Sequence, residues 1–293
     1  MPWYGYSLIA LFFTGWYAVA QKWALNLKIG RTQLLTYTFV GLFLCYLIYG
    51  LVVDRRALFE LLRKENFYTW GLFVAVFSML GNISQIKALK TCPNPGYVSA
   101  IVALQSLTIL ILSFIIFGSP IVWQKLIGMI ILLGGLYGLL LDKAKNKDVS
   151  WYLPAFSAMF FWSLMILGVK QMTNLGIQAY QILIILFFLA SIGFLILAKV
   201  EKISLNLKEL PNKIYLPILI AIFVAFFFNL LNFIAIKLVP NPGYSTAVSN
   251  AGVLLTLLYS AMVFPKEFGG EFNLRKWISI FVIIVGTTII ILA

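Results

Sequence analysis

Ten apolar stretches of roughly 20 residues follow one another along this chain, at 6–24, 32–53, 67–89, 95–117, 120–141, 150–169, 178–198, 213–238, 243–264 and 275–292. A bilayer core about 30 Å thick takes roughly 20 helical residues to cross. Lipid offers no partner to free backbone groups, so segments this long and this uniformly apolar must close their hydrogen bonds as helices. With 62% hydrophobic and 11% charged residues, the chain is expected to be an all-α integral membrane protein with ten transmembrane helices, multi-pass in the cell (inner) membrane. The first segment begins within a few residues of Met1 without a basic lead or a small-residue cleavage site, and is read as mature structure.

The second constraint is internal. "NISQIKALKTCPNPGY" (82–97) aligns without gaps to "NLLNFIAIKLVPNPGY" (229–244), with eight of sixteen positions identical. At nearly the same offset Trp3 and Tyr4 match Trp151 and Tyr152, Lys22 matches Lys170, and Gln33 matches Gln181. Two five-helix units follow, 1–146 and 147–293. Five is odd, so the second unit enters the bilayer from the opposite side, and the two are related as inverted repeats, an architecture of transporters.

Charge and chemistry exclude several classes. The 22 basic residues against 9 acidic give +13, but they are scattered through short loops, with no basic face for nucleic acid. Counted by side, the loops after segments 1, 3, 5, 7 and 9 hold 15 of them and the other loops 7, which places the first set in the cytoplasm and both termini outside. Histidine is missing, and the nine acidic residues fall in loops or at segment ends. No magnesium, zinc or haem site is readable, no cofactor is expected, and an enzyme is disfavoured. Nor is there a buried carboxylate to carry protons. That argues for a weakly coupled uniporter or exchanger.

"FFTGWYAVAQK" and "FFWSLMILGVK" in the first segment of each unit, "GMIILLGGLYG" and "SIFVIIVGTT" in the last, and the five-plus-five layout resemble the drug/metabolite transporter superfamily in its ten-helix form with two EamA-like domains. The resemblance covers the full length. It implies a transporter or exporter of small metabolites, with a central cavity lined by helices one to four and six to nine and helices five and ten peripheral. It also implies both termini in the cytoplasm, against the charge count.

Polar side chains inside apolar helices face a cavity or another helix. Asn82 and Gln85 in segment three, and Asn229 and Asn232 in segment eight, are spaced i, i+3 and map onto each other through the repeat. They are candidates for a substrate site near mid-membrane, with interhelical bonding the alternative. Gln105, Ser249 and Asn250 lie at similar depth, and Trp16, Tyr17 and Trp162 are candidate cavity walls. Ser99, Ser106 and Ser113, and the pair Gly134 and Gly138, read as packing stripes. Lys22 with Lys90, and Lys170 with Lys237, are candidates for the two pathway mouths, snorkelling being the alternative. Pro93, Asn94, Pro95 and Gly96, and again Pro240, Asn241, Pro242 and Gly243, are hinge or gate connectors, or tight turns that start a helix, with the asparagine as cap.

The leading substrate reading is amino acids or their relatives. Sugar-phosphate or nucleotide-sugar carriage and a non-transporting receptor or scaffold are the alternatives. The expected partners are a small-molecule substrate and lipid, with the protein a monomer or weak homodimer.

Overall fold

The computed structural model describes residues 1–56, 65–92, 94–140, 150–206, 210–264 and 274–293. Pro93 and six acidic residues (60, 142, 148, 209, 267 and 271) lie outside them. Twelve α-helices are described: α1 Trp3–Asn26, α2 Arg31–Val53, α3 Glu65–Thr91, α4 Pro95–Ala103, α5 Gln105–Phe117, α6 Trp123–Leu140, α7 Tyr152–Asn174, α8 Ala179–Val200, α9 Tyr215–Leu238, α10 Pro242–Asn250, α11 Val253–Val263 and α12 Leu274–Leu292. No strand occurs among the described residues.

Eight helices are long and apolar enough to cross a membrane, counting α4 with α5 and α10 with α11 as one each; α6 contributes a shorter apolar helix, Trp123–Gly138. α1 is not among the eight; it carries Gln21 and Lys22, both buried inside the protein.

Helix ends are set the same way in both units. α1 and α7 close on a residue in the left-handed region, Lys28 (φ 68°) and Gly176 (φ 80°), which share one repeat position. The glycine occupies that conformation without a Cβ penalty. Gln33 and Gln181 each turn back to accept a backbone N–H, from Gly30 (3.1 Å) and Gln178 (2.9 Å), capping the starts of α2 and α8.

Packing runs mostly between the units. α1 lies on α9 and α7 on α3, equivalent pairs under the repeat; Phe13 stacks on Phe227 with ring centroids 5.2 Å apart, and Gly168 admits Phe73 and Val74. α2 and α8 are equivalents that pair with each other. Arg31 at the start of α2 meets Glu201 beyond the end of α8 at 3.0 Å, while Tyr49 near the end of α2 meets Tyr180 at the start of α8. They are therefore antiparallel, so the units are inverted relative to each other. α6 and α12 form a separate pair in which Gly128, Gly135 and Gly286 bring backbones together. The glycine stripe is thus in another register than the spacing of Gly134 and Gly138 suggests: Gly138 faces Ser279, but nothing lies within 4 Å of a Cβ at Gly134.

Candidate functional site

Both connectors are built alike. Asn94 Oδ1 accepts from Gly96 N–H (2.7 Å) and Asn241 Oδ1 from Gly243 N–H (3.0 Å), with Pro95 and Pro242 opening α4 and α10. A proline there gives up an N–H that has no helical partner anyway. The helix preceding each connector ends under a lysine from another helix. Lys22 Nζ donates to Leu89 O (2.9 Å) and Cys92 O (2.9 Å), and Lys170 Nζ to Ile236 O (3.3 Å) and Val239 O (2.8 Å). The last carbonyls of a helix lack intrahelical donors and carry the negative end of its dipole, so a buried ammonium satisfies both needs. Lys90 and Lys237 are exposed, and Lys237 reaches Gln178. Each of the two lysine pairs is thus split: Lys22 and Lys170 are committed to backbone, while Lys90 and Lys237 face outward.

The half-helices after the connectors tighten in mid-course, at Leu104 between α4 and α5 and at Ala251 and Gly252 between α10 and α11, again one repeat position. Leu107 N–H bonds Leu104 O, three residues back. Ala103 O accepts instead from Ser106 Oγ (2.8 Å) and from Asn250 Nδ2 (3.4 Å) across the molecular centre.

Around this point lies a cavity that gives about 80 Å³ to the centres of water-sized molecules, several times the roughly 10–15 Å³ that one water needs. Nine of the ten residues singled out by polarity and aromaticity line it: Asn82, Gln85, Gln105, Asn229, Asn232, Ser249, Asn250, Tyr17 and Trp162. Trp16 does not. It stacks on Tyr259 with centroids 4.5 Å apart. Residues that the sequence left unmarked complete the walls: Phe39 and Phe187 from the α2–α8 pair, and Phe228, Phe233 and Met165. Ser99 also lines the cavity, whereas Ser113 bonds Ser119 Oγ at 2.9 Å. No charged side chain lines it among the described residues.

The amides differ in what they have left to offer. Asn82 accepts from Tyr17 Oη–H (3.3 Å) and donates to Ser78 O (2.8 Å), and Gln85 donates to the buried Gln21 (3.0 Å). Asn229 donates to Ala225 O (2.7 Å), and Asn232 Oδ1 accepts from Ser249 Oγ (3.4 Å). Gln105 Oε1 and Trp162 Nε1 are enclosed without a hydrogen-bond partner. The Trp162 ring lies directly over Gly81, where a Cβ would collide with it. The lining thus offers amide donors and acceptors and apolar ring faces, and no charge among the described residues.

The EamA-like transporter family matches residues 1–141 and 149–292. The chain belongs to that family, within the drug/metabolite transporter superfamily, and is a multi-pass membrane transporter. A crystal structure of a protein 16% identical superposes with a TM-score of 0.75 over 99% of this chain and 98% of its own; at that identity the likeness shows the fold alone. No curated protein matches the sequence.

Proposed function

We propose that this chain carries small polar, net-neutral metabolites, amino acids or their relatives foremost, by alternating access between two inverted five-helix units, 1–146 and 147–293, with ten membrane crossings in all. The observation that carries this is the uncharged cavity lined from both units by amides and aromatic rings. A zwitterion brings its own compensating charges and asks the protein only for donors and acceptors, whereas a sugar phosphate needs fixed cations. The uncharged lining supports the first reading over the second. The protein works as an exporter or exchanger in the cell (inner) membrane, as a monomer or weak homodimer, with no dedicated proton carrier in its lining.

In this reading Asn82, Gln85, Gln105, Asn229, Asn232, Ser249 and Asn250 hold the solute's polar groups, and Tyr17 and Trp162 its apolar part. Lys90 and Lys237 attract carboxylates at opposite mouths. Lys22 and Lys170 act one layer deeper, on the connectors through which each unit bends, Asn94–Gly96 and Pro240–Gly243.

The test is radiolabelled counterflow in proteoliposomes across amino acids, nucleosides and sugar phosphates, with Asn229→Ala as comparison. Uptake of amino acids abolished in a still-folded Asn229→Ala supports the reading. Uptake of sugar phosphates alone overturns the substrate class, and no uptake of any solute returns the receptor or scaffold alternative.

A further inference from the structure

The two units share a plan but do not make the same contacts, and the difference is concentrated on two seams. α1 presses on α10 and α11 so closely that a Cβ at Gly252 would stand 2.6 Å from Leu11 O and 3.1 Å from Thr14 Cβ. A Cβ at Gly15 would stand 2.9 Å from Leu255 Cβ and from Thr256 N. The equivalent seam, α7 on α4 and α5, is looser. There the place of Gly252 is taken by Gln105, and the places of Leu11 and Thr14 by Met159 and Trp162, by the offsets of 147 and 148 that relate the units. Thr108 and Met159 touch at 3.9 Å, and the cavity fills the rest.

Among the described residues, Gln105 Oε1 and Trp162 Nε1 are the polar lining side-chain atoms left enclosed without a partner. One is an acceptor and the other a donor. A buried polar group with no hydrogen bond penalises the state that leaves it so, and a second state in which both are satisfied is favoured by that amount.

We infer that Gln105 and Trp162 are a gate pair: when the α7 seam closes, short of the backbone contact that glycine allows the α1 seam, Trp162 Nε1–H donates to Gln105 Oε1, and the bond holds the opposite-facing state. The two seams close by different means. One is closed by glycine and backbone contact, the other by a hydrogen bond between side chains, which needs the space between them cleared of solute. Gln105 and Trp162 therefore serve the cavity in one state and seal it in the other. This rests on the alternating-access reading above.

The closed seam can be trapped without knowing the solute. Gly15 and Leu255, whose Cβ positions lie 2.9 Å apart in the closed seam, correspond to Ser163 and Thr108, so closure of the α7 seam draws cysteines at 163 and 108 together and speeds their bridging. In full-length protein carrying Cys45→Ser and Cys92→Val, the rate at which Ser163→Cys and Thr108→Cys bridge under copper phenanthroline measures that closure. Trp162→Phe keeps the ring and removes the donor; Gln105→Met keeps the length and removes the acceptor. Each is expected to slow bridging about two- to tenfold, the worth of one hydrogen bond, and the double variant to slow it no further. Unchanged rates in both single variants, rates that multiply in the double, or cysteines that never bridge overturn the gate pair. Counterflow by the same protein separates the two claims: transport with unchanged bridging rates removes the gate pair alone, and dependent bridging without transport of any solute removes the proposed function alone.

Discussion

The two connectors carry the same five letters and sit in different surroundings. The second is sealed: Asn241 and Tyr244 are 0% and 2% exposed, Asn241 Nδ2 donates to Leu110 O (3.3 Å), and Tyr244 Oη accepts from Val122 N–H (2.7 Å). In the first, Asn94, Tyr97 and Ser99 are half-buried. Gly243 abuts the backbone of Leu110, whereas Gly96 meets side chains, those of Leu257 at the equivalent position and of Asn94. Local structure is therefore fixed by the repeated sequence, and tertiary contact by what each connector packs against. One motif is seen in two surroundings at once.

That comparison can be tested by substitutions made in pairs. The largest effect is expected where the units agree. Lys22→Met and Lys170→Met each strip two carbonyl partners from a helix end and should each cost about 3 kcal/mol, read as similar falls in melting temperature in detergent; a large inequality would mean that the caps do not do the same work. Next comes Gly243→Ala, whose Cβ would lie 2.8 Å from the Leu110 backbone. It should cost about 2 kcal/mol, and Gly96→Ala, against a side chain that can turn, clearly less. Asn241→Ala should exceed Asn94→Ala by about 1 kcal/mol, since both lose a cap and only the second connector shows a bond from the asparagine to Leu110 O.

The smallest effect concerns pH. Burial pushes the Cys92 thiol up to about 12, and its Sγ donates to Asn94 O at 3.2 Å. The folded protein keeps this proton while the unfolded chain begins to lose it near its ordinary value of about 8.5, so the thiol's contribution is complete below that pH and declines as pH rises toward 12. Cys92 should resist maleimide at pH 8.5 in folded protein and react on unfolding. Val239, which holds the same place at the sealed connector, gives through Val239→Cys the matching probe.

Much of the fold and part of the site were legible in the chain, for a physical reason. Amides inside apolar helices are costly, so Asn82, Gln85, Asn229 and Asn232 stand out, and the structure gathers them at one cavity. Phe39, Phe187 and Phe228 give no such signal: in a chain with 25 phenylalanines, a ring turned to lipid and a ring turned inward read alike. Trp16 shows the converse, an aromatic residue of the right depth whose partner is Tyr259. The use of Lys22 and Lys170 was hidden because their partners are carbonyls, which every residue has. The glycine stripe of α6 was misplaced by a few residues because the spacing of glycines does not say which of them meets a backbone.

Those lysine caps also decide, under the proposed alternating access, where the molecule bends. Each ties the last turn of one helix to the first helix of its own unit by two charge-assisted bonds, so the stretch before a connector is anchored on both sides. The stretch after it begins afresh from an asparagine and a proline. Under the proposed alternating access the part up to Cys92 or Val239 is the stator and the half-helix from Pro95 or Pro242 is the rotor, with an axle of two residues between them.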